Sequence, residues 1–563
     1  MLRFPRSQLS GLIAALPLLG CVGKIQNPGG SSGAGAGITG SAGTQSAAGT
    51  TGAGTGTAGT TGVSGTTGAA GTTAGGAATG SSGTSGDAGT VGAAGRGTAG
   101  TDAAAGRGGT TGTAGRGGTS GTAGRGGTGT GGAGTTGGAG TTGAAGMIGG
   151  GGAGGCTITA TSSLATIPTV GIVTFTTDAA APTTAQIHFG LASTGPTLIA
   201  PVDLTAANYR TLLLGMKGSS MYVYRIVVVS AAGTCTSPDY TIMTGAVPSS
   251  VPKPTVMLVN AATHAKGFIV TSSGLSGSQA FILDSDGAPV WWATAPQSPS
   301  RAHMSWDGKE MYMLALNVQN TGGNVAKIGM DGTGAMNNLS GVSTSHHDFT
   351  AIPGGIATML WNTSGMDAHC SVVERASNGT MTTVVADVNS IYSSASFHSN
   401  AIHYYPFDDS YTVGDRNPNL MVKITRKGAL VWQLGGSDPK DQSEFFSGAG
   451  TWQVNHGHHL LANGNFLFFN NGAMSGGQSM MRELKLDTGT MTATSVMTYQ
   501  ASGISSNVLG DVQRLPNGNT LVTYSVTGNI HEVSPSGQLV WSLKTNNFGY
   551  SEWRETLYGP PPY

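Results

Sequence analysis

Two hydrophobic patterns follow one another along this chain. Over 156–247, apolar and polar residues alternate with period two in short runs, at 170–176, 184–190 and 221–229, with Gly, Pro and Ser between them. Such alternation marks half-buried strands, and seven or so of them predict a small β-sandwich. From about residue 254 onward the short apolar runs fall into a repeating frame. GAPVW, GALVW and GQLVW begin at Gly287, Gly428 and Gly537. A second element runs alongside: His347-Asp348 stands eight residues before Gly355, Asn400 eight before Asp408, His456-Gly457 eight before Gly464, and Gly510-Asp511 eight before Gly518. Positions 347, 400, 456 and 510 are thus 53, 56 and 54 residues apart. Trp306-Asp307-Gly308 and the stretch 254–292 supply two weaker copies. A unit of about 50 residues holding four short strands is a propeller blade, and the copies predict six.

In a propeller the innermost strand of each blade lines a central channel, so equivalent residues of successive blades converge on its axis. The frame therefore predicts that His347, His456 and Asn400, with His398 two residues ahead of it, are neighbours. The function is expected there.

Composition separates this half of the chain from the other. Of 563 residues 96 are glycine and 9% are charged, and the glycines crowd into 29–155 with Ala, Thr and Ser. That stretch has almost no large apolar side chains and cannot bury enough surface to offset the entropy of ordering. It reads as a disordered linker over 22–155, with a random-coil reach of roughly 60 Å. Evenly spaced Arg96, Arg107, Arg116 and Arg125 are read as solvated linker positions rather than a site for an anionic polymer. Ahead of it, Arg3 and Arg6 precede an apolar run over 9–19 that is too short to span a bilayer. The run ends in Leu18-Leu19-Gly20-Cys21, which resembles a bacterial lipobox; the resemblance implies cleavage before Cys21, a lipid on its thiol, and export to the periplasmic or outer face, with Val22 favouring the outer membrane. In an exported domain Cys156 and Cys235 bracket the sandwich segment and are candidates for a disulfide. Cys370 is left single and reads as a buried small hydrophobe. Lysines and arginines balance aspartates and glutamates at 26 each with no basic stripe, which argues against nucleic acid as a partner.

YVYRIVVVSAAG, in the sandwich segment 156–250, is similar to the late strand of a fibronectin type III domain. Within 254–563, HHDFTAIPGG, HSNAIHYYPFDDSYTVGDRNPNLMVKITRKGALVWQLGG and NHGHHLLANGNFLFFNNG resemble the bacterial arylsulfotransferases, over roughly 254–558. The expected fold class is accordingly all-β: a six-bladed β-propeller behind a small fibronectin III-like sandwich and a disordered tether. The resemblance implies transfer of a sulfo group from an aryl sulfate to a phenol, without a nucleotide donor or other cofactor and without a metal, through a sulfated histidine. It assigns the nucleophile to His456, two further catalytic histidines to His347 and His398, and an anion-binding role to Arg416. Asn400, His346 and His458 are expected to contact substrate; period-two alternation puts His458 on the strand face of His456, where it orients that ring or stands as a solvated side chain. A neutral imidazole is a competent nucleophile, and a covalent intermediate splits one transfer into two easier steps. Trp361, Phe397 and Trp452 lie near the frame and read as core residues first and as pocket walls second.

Three departures from the family pattern stand out. Phe-Asp-Asn-Gly has become Phe469-Asn470-Asn471-Gly472, removing an expected orienting carboxylate; Ser-Arg has become Ser479-Met480, with Arg482 two residues on; and His458 and His459 stand where the family does not usually have histidine. Asn470 and Met480 keep open a propeller that only binds a surface glycan or partner protein, and the converging histidines keep open a metal site in the channel, which Arg416 beside them argues against. Oligomeric state and the natural donor and acceptor are not legible.

Overall fold

The computed structural model describes residues 156–562, apart from 317–321, 335, 365–366, 437–438 and 473–476. The expectations for Cys21, the export signal and the linker over 22–155 lie outside the described residues.

The first described unit is a two-sheet β-sandwich. Ile158–Leu164, Gly171–Thr177 and Thr211–Leu213 form one sheet; Leu198–Pro201, Thr184–Leu191, Met221–Ser230, Gly233–Thr236 and Tyr240–Met243 form the other. Met221–Ser230 carries the sequence alternation into space: its even positions, Tyr222, Tyr224, Ile226 and Val228, are buried against Val173, Phe175 and Phe189. A disulfide joins Cys156 to Cys235 and ties the start of this unit to its second sheet. Cys370 is a buried thiol inside the propeller core.

The second unit, over the described residues, is a six-bladed propeller closed by both ends of its own chain. The four middle blades begin with the inner strands Pro299–Met304, Ser345–Ile352, Ser399–Tyr405 and Asn455–Leu460. Asp511–Arg514 opens the last blade, and Thr255–Leu258 is added to that blade's outer edge. The first blade takes its inner strand, Glu552–Arg554, from the C-terminus. Pairing the two chain ends into different blades removes open sheet edges at the seam. The sandwich is held to the propeller by Tyr558, whose hydroxyl accepts from Leu214 N (2.8 Å) and donates to Leu212 O (2.9 Å), and by the Arg210–Asp331 ion pair at 2.7 Å.

The inner strands share one irregularity, and it explains the frame. The antiparallel ladder slips between 299 and 301, 345 and 349, 399 and 401, and 455 and 458. The residues left unpaired include Ser300, His347, Asn400 and His456. A bulge bends its strand and re-aims the extra side chain, so a structural repeat has become a repeat of side chains turned to the axis.

Candidate functional site

Ser300, His347, Asn400, His456 and Gly510 occupy equivalent places at the beginnings of successive inner strands. The backbone there is held in uncommon conformations: φ is 58° at His347, 60° at Val454 and 56° at Leu509. For a β-branched residue such as Val454 this is a true outlier, and its N–H is pinned by Asn419 Oδ1 at 2.6 Å. Strain of this kind collects where a site over-determines the backbone.

Four buried imidazoles meet there. His347 Nε2 lies 3.1 Å from His398 Nε2, so one ring donates to the other. The His347 and His456 ring centroids are 5.8 Å apart. His346 packs on Trp361 with ring centroids 3.7 Å apart and donates from Nδ1 to Ser399 O at 2.9 Å. His456 Nδ1 donates to Asn471 Oδ1 at 2.6 Å, which leaves its buried Nε2 as a lone pair without a hydrogen-bond partner. Asn471 cannot turn over, because its amide nitrogen donates to both Ser506 O and Leu509 O at 2.6 Å. Asn400 donates to Asn455 O at 2.7 Å and keeps Oδ1 without a partner.

Electrostatics make these rings neutral. Burial first, and then charged or histidine neighbours, holds His346, His398 and His456 well below the usual histidine range; burial and the Arg416 charge bring His347 down to about 3. Arg416 acts on all four, and as a half-buried guanidinium it is the net charge of the site. Asp415, next to it, faces the other way: its carboxylate accepts from His398 N (2.8 Å), Tyr392 Oη (2.8 Å) and Ser399 Oγ (3.2 Å), and burial raises its pKa to about 6. Neutral imidazoles beside one fixed cation suit an anionic ligand. One nitrogen each from His346, His347 and His398 also fall within 4.8 Å of one another, a donor set that a divalent ion accepts. Against that use, the Arg416 charge disfavours a second cation.

One residue deeper, Arg301 bridges two carboxylates. It pairs with Asp348 and, at 3.1 Å, with Asp511, and lies 4.4 Å over the Tyr550 ring. Burial raises both carboxyls, Asp511 to about 7. Below this layer is a second chamber of about 40 Å³ lined by His303, His403, His458, His459 and Glu552.

The structure therefore sorts the expected site residues. His346, His347, His398 and His456 come together, with Asn400 on the same ring and the Arg416 charge acting on all four histidines. His458 does not join them. The bulge between Asn455 and His458 breaks the period-two relation on which a shared face depended, and His458 Nε2 bonds Thr412 Oγ1 at 2.8 Å instead. Arg482 does not stand in for a family arginine either; it donates to Ala449 O and Thr451 O at 2.9 Å beside Trp452. The loss of the motif's aspartate leaves His456 oriented, since the partner is Asn471. Asn470 caps the turn by accepting from Gln453 N and Gly472 N, both at 3.1 Å. Sequence reasoning missed Asn471, Asp415 and Tyr550; the first two lay in motifs already singled out, the third in none.

A family model described as Arylsulfotransferase (ASST) matches residues 357–546, a span that holds His398, Asn400, Arg416, His456 and Asn471 but not His346 or His347. No curated protein matches the chain. Among solved structures, a Bacteroides caccae protein of unknown function is 13% identical over 51% of this chain and 98% of its own, with a TM-score of 0.35. The β-propeller domain of Cps50 (Swd1) from Myceliophteria thermophila is 11% identical over 52% and 86%, with a TM-score of 0.33. At those scores neither likeness carries an argument.

Proposed function

We propose that this chain, which matches the arylsulfotransferase family model over residues 357–546, moves a sulfo group from an aryl sulfate to a phenol through a sulfated His456, using the chain's own residues alone. The observation that carries this reading is the bare, buried Nε2 of His456, with the opposite nitrogen committed to Asn471. A nucleophile needs a lone pair, a fixed direction and no proton.

In the first half-reaction His456 Nε2 supplies the electron pair of a new N–S bond. The S–O(aryl) bond breaks and its pair leaves with the aryl oxygen as phenolate. Arg416 offsets the charge on the sulfo oxygens and the phenolate; a preorganised donor of this type commonly contributes about 3 kcal/mol. In the second half the acceptor phenol gives its proton to the His347–His398 pair, its oxygen attacks sulfur, and the N–S electrons return to Nε2. The pair then gives the proton to solvent, where the phenolate released in the first half takes one up. The depressed histidine pKa values keep the pair neutral at the start, and the phenol proton moves to it only as the O–S bond forms.

The test follows aryl release from 4-nitrophenyl sulfate by the full chain, with and without added phenol. Release that depends on phenol and yields phenyl sulfate is expected. His456→Ala should lower it by about 10³-fold or more without changing the far-ultraviolet circular dichroism. Release without phenol identifies a sulfatase, and no release across aryl sulfates identifies a binding propeller. Activity that falls with a chelator and returns with a divalent ion identifies the metal reading instead. We also propose that a lipid at Cys21 holds the enzyme outside the cytoplasm; metabolic labelling with an alkynyl fatty acid should mark the chain, and Cys21→Ala should not be marked.

A further inference from the structure

A groove of about 840 Å³ is lined by residues that stand within a few positions of His398, Arg416 and His456 in the chain. That is within the range of about 300–1,000 Å³ found for sites that bind whole small molecules, far more than one phenol ring needs. Four segments wall it, and three of them lead into or out of a site residue; the fourth is Gly435-Gly436. Ser393 and Ser396 precede His398, Asn417 follows Arg416, and Trp452 precedes His456. The groove is therefore continuous in sequence with the chemistry on three sides.

Its walls are built rather than incidental. Asn417 Nδ2 ties two of the loops together by donating to Ser396 Oγ at 2.7 Å and Phe397 O at 3.3 Å. Asn419 ties the second to the third through Val454 N at 2.6 Å. Gly435 lets the Trp452 indole lie against the far wall, since a Cβ there would overlap the ring. Hydroxyls, amides, glycine backbone, Ala395, Pro418 and one indole line the groove, and the charge behind its Gly450–Trp452 wall, Arg482, has its guanidinium committed to Ala449 O and Thr451 O. Such a surface exchanges hydrogen bonds with a neutral, many-hydroxyl ligand at little desolvation cost, whereas a charged group would lose its water with no counter-ion among those residues.

We propose that this groove is a subsite for an uncharged polyhydroxylated substituent on the acceptor, so that the chain acts on phenolic glycosides in preference to bare phenols. The acceptor role rests on the sulfotransfer reading above; binding of the glycosyl group by the groove does not.

Two acceptors with matched phenol rings test it in the full chain: 4-hydroxyphenyl β-glucoside and 4-methoxyphenol. The glucoside should show a KM lower by about tenfold or more, equivalent to about 1.4 kcal/mol, and bind more tightly by the same factor in calorimetry without a donor. Ala395→Trp, on the rim of the groove, should erase both differences, while the methoxyphenol KM and the nitrophenol burst stay as in the parent. Equal KM values in the parent, or a glucoside preference that survives Ala395→Trp, overturn the proposal. Calorimetric preference with no transfer to either acceptor leaves the groove standing and removes the sulfotransfer reading, so the two failures are distinct. Ala395→Ser, expected to keep the preference, separates filling of the groove from damage to the loop.

Discussion

At the scale of single residues, Asn471 has more influence than its place in the sequence suggests. It chooses the tautomer of His456 and fixes the ring, and is itself locked by two backbone carbonyls. Asn471→Leu should leave the donor KM near its parent value and lower the nitrophenol burst rate by about 10²-fold, the usual cost of misdirecting a reacting group. Asn471→Asp distinguishes orientation from simple support. A carboxylate beside Nδ1 favours the protonated ring, so the acid limb of the burst rate should move to higher pH than in the parent, whose His456 stays neutral well below the ordinary histidine range. An unmoved limb in Asn471→Asp would mean that Asn471 supports the fold rather than the nucleophile. Sequence reading found the motif but expected its first polar residue to matter. Neighbouring asparagines differ only in where the backbone sends them, and the turn claims Asn470 while the histidine receives Asn471.

At the scale of elements, the repeat was legible because blades are built from near-identical strands, and a spacing of about 50 residues has few other physical sources. What the spacing could not express was the bulge. Period-two alternation puts residues i and i+2 on one face, which is why His456 and His458 were expected together; one slip of register sends His458 between blades, onto Thr412 and the Phe466 ring at 5.4 Å. The histidines of this strand thus divide by task. His458→Leu should keep the nitrophenol burst of the parent, yet lower the midpoint of urea unfolding by the equivalent of about 1 kcal/mol, because the buried Thr412 hydroxyl loses its short bond and keeps only a long one to His403 O at 3.5 Å. A His458→Leu variant with parental stability and a lost burst would return that residue to the site.

At the scale of the whole molecule, the propeller has placed an unusual number of ionisable groups in its dry interior, and this sets its response to acid. Nine histidines among the described residues, at 303, 346, 347, 398, 403, 456, 458, 459 and 531, are held below their ordinary pKa chiefly by burial. Four buried aspartates are shifted upward, among them Asp415 to about 6 and Asp511 to about 7. The two sets oppose each other. As pH falls through about 6.5 the unfolded chain takes up protons at the nine histidines while the native state refuses them, so unfolding is favoured. Over the same range the aspartates bind protons in the native state before the unfolded chain does, which favours folding. Nine outnumber four, and the carboxylates lowered in the native state, such as Asp331 beside Arg210 and Glu532 beside His264, are lost with the histidines as acid is added. Stability should therefore be highest near neutral pH and fall steadily from pH 7 to pH 4. Thermal unfolding of the full chain at constant ionic strength and pH 7.5, 6 and 5 reads this directly: Tm should drop at each step. A Tm that holds or rises toward pH 5 would mean that the histidine interior is reached by water and takes up protons in the folded state, and the neutral imidazoles on which the proposed transfer depends would fall with it.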